Sequence, residues 1–408
     1  MPISEKQQKI LLFPYLNNYR ALICDGAVRS GKTSIMTVAF VDWAMREFNN
    51  TNFAICGKTV GSAIKNIITP YMALSYSKKY NIRFTRSDNK MIVRRGDKIN
   101  TFYVYGGKDE SSYMLIQGIT LAGVLLDEVA LMTQSFVEEA IARCVTFANR
   151  KYWFNCNPDT PMHWFYKEWI LQPEKHKALH LHFVMQDNPI LTHEAIRETE
   201  NDFSGVFYDR KVLGKWVVAQ GLIYPMFNKE YHVALTEPRP YSEYQISIDY
   251  GTYNPFHALL WGLSNGVWYC VKELRHSGRE GKQKDPQQYF DDLRDFIGEL
   301  NISKIIIDPS ADAFIATLRN KGEIVVKLAD NDVLPGIEKV SMCLNSGLIK
   351  INDCCKHLID EFGLYSWNEK SEKDEPIKEN DHGLDSLRYF VYTNKLGQTR
   401  RKYLREIK

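Results

Sequence analysis

Eight consecutive residues near the amino terminus have the types and spacing of a phosphate-binding loop. The segment Gly26-Ala27-Val28-Arg29-Ser30-Gly31-Lys32-Thr33 matches G-x-x-x-x-G-K-[ST] at every fixed position. Glycines let backbone N–H groups approach phosphate oxygens, the lysine supplies a charge to the β and γ phosphates, and the threonine hydroxyl is placed for Mg²⁺. An apolar run (21–24) precedes the loop and a helical run (34–48) follows it. The segment therefore predicts a site for a nucleoside triphosphate with Mg²⁺.

Arg29 lies inside this loop and has two interpretations. It is either a solvent-facing loop residue or an arginine finger, acting within its own chain, that stabilises charge on the transferred phosphoryl group. The sequence leaves both open.

Two adjacent carboxylates follow an apolar strand-like run (121–126). Because such a strand is buried, acids at its end must meet a metal, a cation or water. We expect Asp127 to hold Mg²⁺ through its water shell and Glu128 to polarise the attacking water as a general base. The Asp-Glu pair favours hydrolysis over phosphoryl transfer to another metabolite.

Weaker features fit the same site. Gln7 or Gln8, shortly before the first strand, could contact the adenine edge, and Gln8 is the candidate we select; an exposed helical glutamine is the alternative. Asn155 and Asn157 close a further strand-like run (151–155), where a side-chain amide could sense the γ-phosphate. A plain Asn-Pro turn is the alternative there.

A second group of acids lies in the carboxyl-terminal half. Asp249 and Asp308 each end an apolar strand-like run, and Asp385 lies at the start of the last helical segment. Three carboxylates brought together would repel one another unless divalent cations held them, which predicts one or two Mg²⁺ or Mn²⁺ ions. Such ions support phosphodiester cleavage, with His382 as proton shuttle or outer ligand. Helix capping is the alternative for each acid, and Asp381 or Asp312 could replace a neighbour.

The elements that must position these residues form two different patterns. In the first half, short apolar runs alternate with helical segments, and residues 90–105 indicate a hairpin, which together predict an α/β domain with a mostly parallel sheet, a P-loop NTPase. In the second half, three strand-like runs (244–250, 256–263 and 267–273) precede alternating helices and strands. That order predicts a mixed sheet flanked by helices.

Composition limits the class of protein. A chain of 408 residues with 44% hydrophobic and 25% charged residues predicts two globular domains. We place them at 1–214 and 241–408, with a linker at 215–240 and a basic tail after Lys395. The net charge of +3 leaves any nucleic-acid contact local. No run is long enough to span a membrane, the first residues lack a secretory signal, and the eight scattered cysteines predict mostly buried thiols in the cytoplasm.

Taken together, the two halves resemble the large subunit of a tailed-bacteriophage terminase. The resemblance covers nearly the whole chain and rests on the phosphate loop, Asp127-Glu128 and the segment Asn155-Cys156-Asn157-Pro158 at the place of the family's coupling motif. It continues through Val212-Leu213-Gly214-Lys215-Trp216-Val217, Ile248-Asp249-Tyr250-Gly251, Ile307-Asp308 and His382-Gly383-Leu384-Asp385. Relatives often begin the coupling segment with Ser or Thr, so the residue that senses the γ-phosphate stays open.

This resemblance implies an ATPase followed by an RNase H-like nuclease with three acids and a histidine. It also implies partners: double-stranded DNA, a portal protein, a terminase small subunit and further copies of the chain in a ring on the procapsid, with a monomer when free. The expected place is the cytoplasm of an infected bacterium. The alternative is a P-loop DNA helicase or other DNA-dependent ATPase whose second domain binds DNA or a partner without catalysis.

Overall fold

The computed structural model describes residues 2–278, 281–371 and 373–397. The chain divides into two compact units. The first comprises Met1–Arg197 and Tyr208–Val218, and the second comprises Glu198–Phe207 and the chain from Ala219 on. The predicted limits 1–214, 215–240 and 241–408 stay predictions, since the units interleave between residues 198 and 218. Residues 398–408, which make up most of the predicted basic tail, lie outside the described residues.

The described helices alternate with the strands through most of the chain. They are α1 Glu5–Leu12, α2 Lys32–Glu47, α3 Val60–Ala63, α4 Thr69–Ala73, α5 Gln134–Ala142, α6 His193–Asp202, α7 Gly205–Lys211, α8 Lys229–His232, α9 Pro286–Ile297, α10 Asp312–Lys321, α11 Val333–Asn345, α12 Lys356–Glu361 and α13 His382–Thr393. Short 3₁₀ or π turns connect several of them.

The first unit contains an eight-stranded sheet in the order β3-β4-β5-β2-β6-β7-β1-β8. Its strands are β1 Ala21–Gly26, β2 Thr51–Gly57, β3 Asn81–Thr85, β4 Lys90–Arg95, β5 Lys98–Gly106, β6 Gly123–Asp127, β7 Lys151–Asn155 and β8 Ala178–Phe183. The six strands from β5 to β8 in this order pair in parallel, and β3, β4 and β5 pair antiparallel at one end. The mostly parallel sheet and its terminal hairpin are confirmed.

The second unit contains a seven-stranded mixed sheet in the order β14-β13-β10-β11-β12-β15-β9. Its strands are β9 Val233–Ala234, β10 Glu243–Asp249, β11 Phe256–Ser264, β12 Val267–His276, β13 Ile302–Ile307, β14 Val326–Leu328 and β15 Ile349–Asn352. The central meander β10-β11-β12 is antiparallel, whereas β13 pairs with β10 in parallel. This arrangement confirms the predicted mixed sheet.

Buried side chains on both faces fix these sheets in place. In the first unit, Phe40 and Trp43 of α2 pack edge-on against Phe53 of β2, and every residue of β6 and β7 is buried. Strands buried on both faces read as continuous apolar runs, which is why the sequence located them. All eight cysteines are free thiols, and only Cys354 is exposed. Among the described residues, no helix is long and apolar enough to cross a membrane.

Candidate functional site

The phosphate loop connects the end of β1 to the start of α2. Gly26 has φ +118°, and a Cβ there would lie 2.0 Å from the carbonyl oxygen of Phe183. Gly31 has φ +83° directly before α2, a conformation that side chains with a Cβ rarely adopt. The two glycines therefore allow the tight path that aims backbone N–H groups at a phosphate.

Lys32 is buried at the base of the loop. Its Nζ donates to the carbonyl oxygens of Gly26 at 3.1 Å and Ala27 at 2.7 Å, and to Ser30 Oγ at 3.2 Å. Asn157 Oδ1 lies 3.4 Å away as a further acceptor. Burial lowers the pKa of Lys32, which nearby acidic groups partly oppose. The ammonium group is thus held within the loop by neutral oxygen atoms.

Three side chains meet where β1, β6 and β7 end. Thr33 Oγ1 donates to Asp127 Oδ1 at 3.2 Å, and Asn155 Nδ2 donates to Thr33 Oγ1 at 2.8 Å. Asn155 also donates to Asp127. The parallel register that pairs Asp127 with Asn155 produces this arrangement. Burial raises the pKa of Asp127, and its hydrogen bonds with Asn155 and Thr33 oppose that shift.

Glu128 directly follows β6 and has a left-handed backbone with φ +59°. For a non-glycine residue this conformation is uncommon and often marks a functional site. Burial and the charge of Asp127 raise the pKa of Glu128, whereas Lys58 and Lys211 lower it. A carboxyl whose pKa is raised is a better proton acceptor near neutral pH.

These groups surround one cavity of about 460 Å³. Its lining comprises Val28, Arg29, Ser30, Gly31, Lys32, Thr33, Ser34, Asn66, Asp127, Glu128, Asn155, Cys156, Asn157, Asn188 and Leu191. The cavity holds every predicted triphosphate-site residue except Gly26, Ala27 and Gln8. A volume of this size suits a small molecule such as a nucleotide.

Two predicted contacts depend on positions at the edge of this cavity. The structure places Gln7, and not Gln8, beside the loop: Gln7 is buried, its Nε2 lies 2.7 Å from where a Cβ of Gly31 would be, and Gln8 is exposed on α1. Helix periodicity separates neighbouring residues by about 100°, so only one of the pair faces the loop.

Arg29 is exposed with φ +57°, and Asn188 Nδ2 donates to its carbonyl oxygen at 2.7 Å. The finger role of Arg29 stays a prediction.

Asp25, one residue before the loop, forms a cluster that the sequence did not reveal. His180 Nε2 and His182 Nδ1 donate to its Oδ1 at 2.8 and 3.1 Å, and Trp216 Nε1 donates to its Oδ2 at 2.8 Å. Burial alone would raise the pKa of Asp25, but these hydrogen bonds outweigh it and lower the pKa. The segment 209–218 contacts the loop again, because Val28 N donates to the carbonyl oxygen of Lys211 at 2.8 Å.

The second unit brings its predicted acids to one edge of the mixed sheet. Asp249 ends β10 and Asp308 follows β13, and the parallel register pairs Ile248 with Ile307 just before them. Asp385 lies in the first turn of α13, which packs against β10 and β13. Asp381 lies next to this edge, whereas Asp312 is exposed at the start of α10.

Each acid has polar partners. His382 Nδ1 donates to Asp249 Oδ2 at 2.8 Å, and the Tyr389 hydroxyl donates to Asp249 Oδ1 at 3.4 Å. Asp308 accepts from Ser310 N at 2.8 Å and from Asn331 Nδ2 at 3.1 Å. Asp385 is paired with a buried arginine, Arg388.

Electrostatics distinguish these acids. Burial raises the pKa of Asp385 to about 6, although Arg388 opposes the shift and Asp249 adds to it. For His382, burial lowers the pKa but the adjacent Asp249 carboxylate outweighs it, so the pKa is raised. For Asp308, hydrogen bonds from Ser310 and Asn331 overcome the effect of burial and lower the pKa.

The donor set suits Mg²⁺ or Mn²⁺, because these hard ions prefer carboxylate oxygens. Asp249, Asp308 and Asp385 are the residues that would hold such an ion. Within residues 2–278, 281–371 and 373–397, however, no group of three or more His, Cys, Asp and Glu side chains has the arrangement of a formed metal centre. The metal site therefore stays a prediction supported by the type and placement of its ligands.

Comparisons with known proteins agree with both halves of this description. Residues 23–230 match the family model described as "Terminase large subunit, T4likevirus-type, N-terminal". A search of curated proteins finds no match. The large terminase of a thermophilic bacteriophage is similar over 97% of this chain and 100% of its own, with 47% identity and a TM-score of 0.93. The same phage protein in complex with ADP has a TM-score of 0.90, and with ATP-gamma-S 0.89.

Proposed function

Since this chain belongs to the family of terminase large subunits, we propose that it hydrolyses ATP to drive double-stranded DNA through a portal into a procapsid, and that it cuts the concatemeric DNA when packaging begins and ends. The observation that carries the ATPase proposal is the convergence of Lys32, Thr33 and Asp127 on one cavity that also contains Glu128. The similar phage protein is known in complexes with ADP and ATP-gamma-S, which supports a nucleotide in the corresponding cavity.

In the proposed ATPase reaction, Lys32 exchanges its contacts with loop carbonyl groups for contacts with the β and γ phosphates. Thr33 and Asp127 are the pair that would hold Mg²⁺, which neutralises phosphate charge when bound. Glu128 accepts a proton from the attacking water, and its raised pKa suits that role. Asn155, already bonded to Thr33 and Asp127, would orient both groups. Asn155 and Asn157, whose Oδ1 lies 3.4 Å from Lys32 Nζ, are the candidates for sensing the γ-phosphate.

In the proposed nuclease reaction, Asp249, Asp308 and Asp385 would hold one or two Mg²⁺ or Mn²⁺ ions at the edge of the mixed sheet. Such ions activate water and stabilise a leaving oxygen in phosphodiester cleavage. His382, whose Nδ1 donates to Asp249, would transfer a proton at that edge.

The proposal extends to partners and location. We expect a portal protein and a terminase small subunit as protein partners, and a ring of copies on the procapsid that forms from monomers. We place the chain in the cytoplasm of an infected bacterium, with a transient stay on the procapsid.

ATP hydrolysis is tested first with Lys32→Ala and Glu128→Gln. We expect Lys32→Ala to lose hydrolysis while keeping its fold, and Glu128→Gln to bind ATP without turnover. Lys9→Ala, which changes an exposed lysine of α1, is the matched control. Phosphate release measures turnover and a fluorescent nucleotide measures binding. Hydrolysis by Glu128→Gln at the wild-type rate would mean that another group is the base.

Base selectivity gives a second test of the nucleotide site. Gln7→Ala should reduce the preference for ATP over GTP, whereas Gln8→Ala should leave it unchanged because Gln8 is exposed. If both variants keep the wild-type preference for ATP over GTP, α1 does not recognise the adenine base.

Nuclease activity is tested by nicking of supercoiled plasmid in Mn²⁺. Asp249→Ala and Asp308→Ala should lose nicking, and Asp295→Ala, an exposed acid on α9, should retain it. Unchanged nicking in the first two variants would refute the proposed site. Absence of metal-dependent cleavage by the wild-type chain would favour the alternative, a DNA-dependent ATPase with a non-catalytic second domain.

A further inference from the structure

Arg388 is a buried cation at the edge of the sheet where the acids lie. Only 3% of its surface is exposed. Its Nε and Nη2 donate to Asp385 Oδ1 at 3.2 and 2.8 Å. Both bonds end on the same carboxylate oxygen. The guanidinium therefore fixes the direction of the Asp385 side chain.

The third guanidinium nitrogen reaches another segment. Nη1 donates to the carbonyl oxygen of Asn331 at 2.7 Å, and the Asn331 side chain donates to Asp308 Oδ2 at 3.1 Å. This segment is itself held on two sides, because Ala329 N donates to the Ile307 carbonyl oxygen at 2.8 Å and Asp330 N donates to Thr393 Oγ1 at 3.0 Å. A continuous set of bonds therefore runs from Asp385 through Arg388 and Asn331 to Asp308.

Helix α11 leaves room for this connection at one residue. A Cβ on Gly336 would lie 2.6 Å from Arg388 Cγ and 2.7 Å from Cδ. Glycine weakens a helix interior, and here it allows the arginine stem to pass against the helix backbone. The absence of a side chain at Gly336 thus makes room for the buried stem of Arg388. An ion pair on the protein surface would not require such a glycine.

We propose that Arg388 is a positioning residue of the nuclease site, which sets Asp385 and Asp308 at a fixed separation by bonding directly to Asp385 and to Asn331, the residue that donates to Asp308. This inference rests on the proposed nuclease function. The planar guanidinium donates in three directions at once and carries a permanent charge, whereas a lysine ammonium is a flexible point charge. Arg388 also offsets the mutual repulsion of the acids, and it contacts neither DNA nor metal in this role.

The test measures Mn²⁺ binding by the full chain with isothermal titration calorimetry, and the heat that Asp308→Ala removes defines the nuclease site. Groups that orient metal ligands typically contribute about 10- to 100-fold to metal affinity. We expect Arg388→Met to weaken Mn²⁺ binding by about that factor. Arg388→Lys should recover only part of the affinity, because it restores the charge without the three-way geometry.

Two further variants separate positioning from loss of fold. Gly336→Ala keeps Arg388 and favours the helix, but its methyl group displaces the arginine stem, so Mn²⁺ affinity should still fall. Arg294→Met, which changes an exposed arginine of α9, is the control and should bind like the wild type. Differential scanning calorimetry shows whether the second unit of each variant has folded, through the unfolding transition that does not rise when ADP is added.

The outcomes are distinct. If wild-type protein binds Mn²⁺ and cuts DNA while Arg388→Met and Gly336→Ala bind Mn²⁺ as tightly as wild type, Arg388 has no positioning role. A gain of affinity in Arg388→Met would also overturn the inference, since it would make Arg388 a competitor of the metal. If the wild-type chain neither binds Mn²⁺ at this site nor cuts DNA, the proposed nuclease function itself fails. If one of the two variants, Arg388→Met or Gly336→Ala, does not fold, the Mn²⁺ affinity of the other tests the proposal.

Discussion

Replacement of Asp25 should destabilise the first unit strongly, although this residue belongs to no recognised motif. Asp25 is 1% exposed and accepts hydrogen bonds from His180, His182 and Trp216. Asp25→Ala leaves the three donors without their acceptor, but His182 is 43% exposed and can bond to water. The loss therefore comes mainly from His180 and Trp216, and at about 1–3 kcal/mol for each unsatisfied donor we expect about 3–5 kcal/mol. For a unit of this size, that loss corresponds to a decrease in Tm of roughly 6–20 °C.

Asp25→Asn should cost less, about 1–2 kcal/mol, because the amide oxygen still accepts one bond. A neutral histidine can change its tautomer and accept from the new amide, whereas the indole N–H of Trp216 only donates. We therefore expect the Tm of the first unit to be lowest in Asp25→Ala, intermediate in Asp25→Asn and highest in the wild type.

Differential scanning calorimetry of the full chain measures this effect, and the transition that rises when ADP is added identifies the first unit. Because the pKa of Asp25 is lowered from its ordinary value of 3.8, the stabilisation is complete above that value and is lost as the pH falls below it. The variants should lack this acid sensitivity. Asp88→Ala, at an exposed turn, is the control, and a shift for Asp25→Ala no larger than that of the control would refute the reasoning.

Further predictions concern a crowded glycine and a buried histidine. Gly214→Ala should lower both the Tm of the first unit and the rate of ATP hydrolysis, because Gly214 has φ +69° and a Cβ there would lie 2.9 Å from Ala27 N. Gly221 has a similar φ of +70°, but a Cβ there would meet no atom within 4 Å. Gly221→Ala is therefore the control, and calorimetry should show a loss of stability of only about 1 kcal/mol. Burial alone would lower the pKa of His257, but Glu273 and Glu361 raise it above 6.5. Its contribution to stability is thus complete below pH 6.5 and is lost as the pH rises through the raised pKa, so a pH series of melting curves should show this loss in wild type and not in His257→Gln.

The candidate nucleotide site was predictable because its signals are local. The residues of the phosphate loop, Gly26 to Thr33, are consecutive in the sequence. The Asp127-Glu128 pair lies at the end of an apolar run that is typical of a buried strand. Asn155 was also within reach, since parallel strands deliver their final residues to one edge.

The Asp25 cluster was not predictable from local signals. His180 and His182 point to one side of β8 because side chains alternate along a strand, but the sequence did not indicate that β8 pairs with β1. Trp216 reaches Asp25 across 191 residues of chain, a pairing that no spacing rule encodes. Long-range contacts of this kind depend on the completed sheet.

For the second unit, the meander β10-β11-β12 and the placement of the three acids followed from the sequence, but apart from His382 the hydrogen-bond partners of the acids did not. The segment that forms α11 has no motif that predicts contact with the acids. The sequence therefore did not indicate that Gly336 packs against the side chain of Arg388. One signal was present: Arg388 follows Asp385 by three residues, the spacing of side chains that meet on a helix.

The contacts of Lys32 within its own loop bear on the proposed ATPase cycle. Its ammonium has exchanged most of its hydration for the oxygen atoms of Gly26, Ala27 and Ser30. An arriving nucleotide therefore replaces partners around a group that is already dehydrated, and a departing product returns the ammonium to partners that are waiting beside it. In the proposed ATPase cycle, therefore, neither arrival nor departure of the nucleotide requires this buried ammonium to lose or regain its hydration.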